Sequence, residues 1–417
     1  ISSESDGNIS VRSVIYYGSM FIGEQSALDS WLDEKIHWRE AVASLASAAT
    51  KFPQSAYSGL QRSLQQEWQF VQRVIKDIGG KFPDVEKELF QNFLPALFDD
   101  VIDGDDPRLK LACLPVKHAG LSLPNPVLSA ATNYKASILS SSPILAAFRG
   151  VEEFRSADHV SVVGEVRKEL KHRMKLSNDM DLASIIDKLP CDDDRTILRG
   201  KDTGQWLSVP PSTGNGTELS AQEFCDSILL RYARTPADLP THCDGCSQKF
   251  SVRHALECKK GGLVISCHNE IRDELVDLAS KALTPSAVCD EPRIYTSSRP
   301  AVELRTLDQN PVIRNVHKHH GEERGDVLIR GLWQKGTDAI IDVRIIDLDA
   351  KSNISRSPMK VLEGRDREKK HKYLEVCLVQ RCHFSPFVVS TDGLIGKEAK
   401  TMLKKLSTSL SKKTGKP

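Results

Sequence analysis

The chain has 417 residues, of which 40% are hydrophobic and 27% charged, with 57 Lys and Arg against 56 Asp and Glu. Those values belong to a folded globular protein with length for two or three domains, and they exclude a disordered polyelectrolyte. The balance conceals an asymmetry: residues 351–417 hold 16 Lys and Arg against 6 Asp and Glu, leaving 41 against 50 for residues 1–350, and a basic end suits a polyanionic partner.

No apolar run approaches the roughly 20 residues of a membrane span, and the first residues lack a basic-then-apolar leader. The expected location is the nucleus or cytoplasm. Ten cysteines in such a chain do not suggest a disulfide scaffold.

Residues 1–20 are polar and carry no strong pattern. Leu28, Trp31, Leu32, Ile36, Val42 and Leu45 fall near helical spacing between Ala27 and Ala49. Tyr57, Leu60, Leu64, Trp68, Val71, Ile75 and Ile78 predict a clearer helix stopped by Gly79-Gly80, and another starts near Pro83-Asp84 and continues through Val85, Leu89 and Phe93. Asp99-Asp100 closes that helix without the strand and aromatic residue of a polymerase motif, and Cys191-Asp192-Asp193-Asp194 reads as a polar surface loop. Helical patterns resume at Asn133 to Leu139 and at Val166 to Met174. Asp202 to Thr217, rich in Gly, Pro, Ser and Thr, is expected to be a linker, and Phe224, Ile228, Leu229 and Tyr232 mark a short helix before Pro236.

Cys243-x2-Cys246-x7-His254-x3-Cys258 has zinc-ligand spacing. Zinc takes four thiolate or imidazole donors in a tetrahedron, and a His and Cys one helical turn apart face a single point. Cys267 and His268 lie close enough to serve as alternates. Four protein ligands leave no place for water, so the expected metal is structural, acting as a staple, a nucleic-acid contact or both.

Beyond it, Ile271, Leu275 and Leu278 predict one face of a helix, and Glu291 to Tyr295 the start of a strand. Two apolar runs each enclose a single carboxylate: Asp326 in Gly325 to Ile329, and Asp342 in Ala339 to Ile346. Gly331 and Lys335-Gly336 between them suit a hairpin. Burying a carboxylate is costly unless it is protonated, paired or bound to metal, so two on adjacent strands suggest a cation site. Glu368 to Tyr373 brings cations within reach, Phe384 to Ser390 reads as a further strand, and Lys397 to Leu406 as a helix. Two acids, a lysine and a tyrosine suit phosphodiester hydrolysis.

Cys113 to Pro124 resembles the segment that follows the palm and thumb of non-LTR retrotransposon reverse transcriptases. The order Trp206-Leu207, Leu230-Arg231-Tyr232, Cys243-x2-Cys246, His254-x3-Cys258, His268 to Asp273, Asp342-Val343-Arg344 and Lys370-x2-Tyr373 extends that resemblance over about residues 27–410. It is similar to the C-terminal half of such proteins where they carry a restriction-like endonuclease. The resemblance implies an α+β multidomain chain. Residues 1–235 would form a helical thumb- or linker-like region, 236–268 a zinc knuckle, and 269–417 an α/β endonuclease domain of the PD-(D/E)XK type with a mixed sheet.

It further implies Asp326 and Asp342 as ligands of catalytic Mg²⁺, with Lys370 and Tyr373 completing the site and Glu274 on the first helix as a weaker third acid. Gly325 stands where proline is usual, and Arg344 where a typical restriction enzyme has its lysine. The implied partners are target DNA and element RNA. The implied activity is a DNA nick that primes reverse transcription, the polymerase core lying outside these residues. The competing expectation is a retroelement remnant that binds nucleic acid without cutting it.

Overall fold

The computed structural model describes residues 15–17, 20–22, 28–32, 37–100, 102–190, 193–294 and 324–415. The protein is a mixed α+β chain that divides into two compact units, Ile1–Pro236 and Ala237–Pro417, and the Cys/His cluster falls inside the second unit.

The first unit opens with a short antiparallel pair, β1 (Ile15–Tyr17) and β2 (Met20–Ile22), where only polar sequence is expected. Ile15-Tyr16-Tyr17 and Met20-Phe21-Ile22 are short runs of strand-forming residues. Helices follow: α1 (Trp38–Ala49), α2 (Pro53–Gly59), α3 (Gln65–Val74), α4 (Pro83–Glu88) and α5 (Leu94–Phe98). Then come α6 (Pro107–Cys113), α7 (Pro126–Phe148), α8 (Ser156–Ile186), α9 (Asp193–Thr203) and α10 (Ala221–Arg231). The stripe from Tyr57 to Val71 is buried as expected, but its helix ends at Val74, because Ile75 turns extended before a 3₁₀ turn at Ile78–Lys81. Trp38 stacks on Phe82 at 5.4 Å and meets Trp68 edge-on at 6.4 Å. Offset and edge-on arrangements are those aromatic quadrupoles favour.

The stretch from Asp202 to Thr217 is not a linker. Leu207 is buried, Trp206 packs edge-on against Phe224 at 5.6 Å, and Gln54 bonds both Thr217 O and Leu219 N. Its Gly and Pro content serves tight turns over a core surface. Asp193 and Asp194 begin α9 rather than a free loop, and Asp193 pairs with Arg108; Cys191 and Asp192 lie outside the described residues. Asp100 pairs with Arg234 at 2.5 Å.

In the second unit, α11 (Val252–Glu257) and α12 (Leu263–Ala282) precede a four-stranded sheet: β3 (Val288–Asp290), β4 (Val327–Arg330), β5 (Asp338–Ile346) and β6 (His383–Ser390). The strands lie in sequence order, the first three antiparallel and β6 parallel to β5. A parallel neighbour needs a long crossover, which α13 (Pro358–Val379) provides before α14 (Lys397–Thr414) closes the chain.

Strand alternation sorts the faces. Ala339, Ile341 and Val343 pack with Leu275 of α12 and Met402 and Leu406 of α14. Ile340 and Ile346 turn the other way, toward Tyr373 and Val361 of α13 respectively. Asp342 belongs to that second set. The expected strand at Glu291–Tyr295 starts earlier, at Val288, and continues only as a bridge from Arg293 to Arg324; Tyr295 lies outside the described residues. The β4–β5 hairpin forms as expected, with Gly331 and Gly336 both at positive φ.

One buried acid is unrelated to either candidate site. Asp366 of α13 is 6% exposed, and its Oδ1 has no hydrogen-bond partner. Burial, with the charge of Glu398, pushes its carboxyl from 3.8 up to about 6. The folded state therefore favours the protonated acid, and the cost of ionisation is fully present above pH 6 and falls away toward pH 3.8. Asp366→Asn is expected to raise unfolding stability by about 1–2 kcal/mol at pH 7.5, with roughly half of that gain gone by pH 5. Urea unfolding of both proteins at the two pH values checks this, and a gain that does not shrink with acid contradicts it.

Candidate metal centre and acidic site

The Cys/His cluster is built by a turn and a short helix. The Cys243 N–H donates to Gln248 O at 2.8 Å and the Ser247 N–H to Cys243 O at 2.7 Å, so Cys243 and Cys246 face inward from one tight hairpin. Gly245 is required there, since a Cβ would lie 2.4 Å from Lys260 O. Ser251 caps α11 by accepting from the His254 N–H at 3.1 Å, and the helical bond from Cys258 N–H to His254 O at 2.8 Å aligns those two side chains.

All four donor atoms lie within 4.8 Å of one another. Sulfurs bound to one zinc at about 2.3 Å stand about 3.8 Å apart in a tetrahedron. Cys243 and Cys258 are 3.8 Å apart, and Cys246 and Cys258 3.7 Å. These spacings fit a tetrahedral ion and are far too long for a disulfide, near 2.05 Å. Cys246 Sγ and His254 Nε2 lie 3.2 Å apart. Hydrogen bonding from His254, then from the backbone at Cys246 and Gly245, draws the Cys243 thiol down to about 6, toward the thiolate a metal requires. The protein thus has a Cys3His cluster able to hold a metal such as zinc. Cys267 and His268 are not part of it. Among the described residues it is the one group of three or more such side chains that converges this closely.

The second site lies at the start of β4. The Asp326 N–H donates to Ile341 O at 2.9 Å, which sets Asp326 beside Asp342 on the neighbouring strand. Asp326 Oδ2 accepts from the Val343 N–H at 2.6 Å and lies 3.5 Å from His268 Nε2 of α12. Asp342 is 6% exposed and pairs with Lys369, whose Nζ is 2.6 Å from Oδ2. Burial raises the Asp342 carboxyl; the Lys369 ammonium opposes the rise and the Asp326 charge adds to it. His268 is raised by its bond to Asp326.

The amine beside the acids is therefore Lys369, not Lys370. Lys370 Nζ binds Glu398 Oε1 of α14 at 2.8 Å. Tyr373 is 5% exposed, packs at a tilt against Phe384 at 5.4 Å, and accepts from Lys372 Nζ at 2.7 Å. Lys369 Nζ lies 5.7 Å from its ring centre, a cation–π distance. Tyr373 thus supports Lys369, one helical turn earlier.

Glu274 is exposed, and its charge acts on Lys281; from the same helix it is His268 that reaches Asp326. Arg344, two residues beyond Asp342, is exposed and holds the Glu368 carboxyl down through its charge, behind the stronger effect of Arg365. Proline could not replace Gly325. Its N–H donates to Pro292 O at 2.8 Å, and a Cβ would lie 2.5 Å from Ile340 Cγ2.

No protein-family profile matches the chain, and no curated protein matches it.

Proposed function

We propose that the second unit is a metal-dependent DNA endonuclease of the PD-(D/E)XK type, derived from a non-LTR retrotransposon protein, and that the Cys3His cluster is a structural zinc knuckle. The observation that carries this reading is the meeting of Asp326, Asp342 and Lys369 at adjacent strands of a mixed sheet, one acid buried and beside an amine. The order of helix, three antiparallel strands, crossover helix and parallel strand supports it, as does the sequence resemblance.

Asp326 and Asp342 are the residues that would hold a divalent cation, with the Lys369 ammonium beside Asp342 giving way to it. The ion supplies Lewis acidity toward the scissile phosphate. Lys369, held over the Tyr373 ring, places a positive charge where the phosphoryl oxygens gain negative charge. Hydrolysis with water as nucleophile breaks the bond between phosphorus and the 3′ oxygen. It leaves the 3′-hydroxyl that, in the retrotransposon family, primes reverse transcription. The lysines and arginines after residue 351 follow the DNA backbone, with strong salt dependence and little sequence content.

The second reading, a nucleic-acid binder that does not cut, is favoured by one observation: each acid already faces a cationic side chain, Lys369 or His268. Incubating the chain with supercoiled plasmid and Mg²⁺ or Mn²⁺ separates the two. The endonuclease reading expects nicked circles, and their loss in Asp342→Ala with DNA affinity retained. Plasmid bound but uncut under both metals establishes the binder.

A further inference from the structure

The hairpin of α7 and α8 stands out from the helical body. Its base is fixed where Ala130 of α7 and Leu182 and Ile185 of α8 join the core, and no residue from 131 to 181 is buried. The two helices meet along an apolar cleft lined by Leu139, Val166, Leu170 and Met174. At about 100° per residue, Arg167, Lys168, Lys171, His172 and Lys175 fall within an arc of about 140° on the opposite side of α8. All five are exposed, and no acid from residue 164 to 178 enters that arc. Elsewhere on the same helix a cation is used internally, Arg173 pairing with Glu169 at 2.5 Å. The side chains of Arg167, Lys168, Lys171 and Lys175 have no such partner among the described residues.

We infer that this face of α8 is a docking surface for the phosphate backbone of duplex DNA, additional to the basic segment of the second unit. The choice of DNA rests on the reading of that unit as a DNA endonuclease, whereas the fit to a phosphate backbone rests on the charges of α8 themselves. Like charges at i and i+4 repel, and a polyanion relieves that repulsion. Arg167, Lys171 and Lys175 recur at four-residue steps, about 6 Å apart along the helix axis. Their span of about 12 Å matches about three or four phosphates of one strand, at about 3.4 Å of axis each. Such contacts hold a duplex in position without reading its sequence. No Phe, Tyr or Trp occurs in α8, so the face lacks the stacking platform that single strands use. Between Gly164 and Lys175 there is also no hydroxyl or amide side chain to sense a ribose 2′-hydroxyl.

The test measures binding of the full chain, with zinc supplied and no magnesium added, to a short blunt-ended duplex DNA by fluorescence anisotropy across a salt series. The combined Arg167→Gln, Lys168→Gln, Lys171→Gln, Lys175→Gln protein should lower the slope of log affinity against log salt by about 3–4 and weaken binding about tenfold or more. Lys171→Gln alone should lower the slope by about 1. A control with Lys51→Gln, Lys76→Gln, Lys87→Gln and Lys110→Gln removes the same charge from exposed sites scattered over the same unit, and its slope should change by less than about 1. Equal losses in the two fourfold variants, or no loss in the first, overturn the surface and leave α8 with a merely solvated face. Tighter binding of the matching RNA duplex, lost in the α8 variant, overturns the choice of DNA. Duplex DNA binding that depends on α8, in a protein that never nicks plasmid, supports the surface and overturns the endonuclease reading alone.

Discussion

On the proposed endonuclease reading, replacing Lys369 by alanine is expected to lower metal-supported DNA cutting by about 10²–10³-fold, the usual cost of removing one preorganised donor of charge stabilisation, whereas Lys370→Ala is expected to change it by less than about threefold. Lys369 is the amine 2.6 Å from Asp342, and Lys370 is engaged with Glu398 on another helix. A partly exposed ion pair of that second kind contributes about 0–1 kcal/mol of stability. Removing Lys369 also leaves a buried carboxylate without its cation, and breaking one side of such a pair costs about 3–5 kcal/mol when fully buried. Thermal unfolding must therefore be followed beside plasmid nicking. A folded Lys369→Ala protein that cuts normally, or a Lys370→Ala protein that does not cut, would return the role to the neighbouring residue.

Loss of the knuckle metal is the second large effect. Between residues 240 and 262 the only buried side chains are Cys243 and Cys258, too little apolar surface to hold the turn and α11 in place without an ion. Zinc bound to such a site contributes its binding free energy to folding, apparent values being about 10–16 kcal/mol in small zinc peptides. Chelation, or Cys243→Ser, is expected to melt this segment while the sheet of the same unit stays folded. Amide hydrogen exchange checks it: residues 243–258 should lose protection as zinc is withdrawn, and β5 should keep its own. One zinc per chain by elemental analysis, and tetrahedral thiolate bands on cobalt substitution, are expected in the native protein. Unchanged protection in metal-free protein would mean that the four side chains are held by something other than an ion.

The contrast between these two sites shows what a linear pattern reveals. The cluster was legible because its ligands sit on one turn and one short helix, where spacing alone determines geometry. Asp326 and Asp342 were legible because a lone carboxylate inside an aliphatic run is expensive and conspicuous. The lysine was harder. Lys369, Lys370 and Lys372 offer a cation at almost every position, and only their neighbours in the fold choose among them. Leu362, Asp366, Tyr373 and Cys377 form the buried stripe of α13, and at about 100° per residue Lys369 and Lys370 flank its two sides, the first beside Asp342 and the second beside Glu398.

His268 was visible as a possible zinc ligand, but its actual neighbour is 58 residues distant in sequence, a proximity created by the sheet. The Asp202 to Thr217 stretch misled because turn-forming composition describes local backbone shape and says nothing of what lies beneath it.

That stretch has a practical consequence for dissecting the chain. Strapped down by Gln54 and Trp206, it leads directly into α10, whose Phe224 and Ile228, with Tyr232 just beyond its end, fill the helical body. A fragment ended at residue 217 would strip out those three anchors and bare an oily cleft prone to self-association. Separate expression of the two halves should therefore cut near Pro236, where the compact units part.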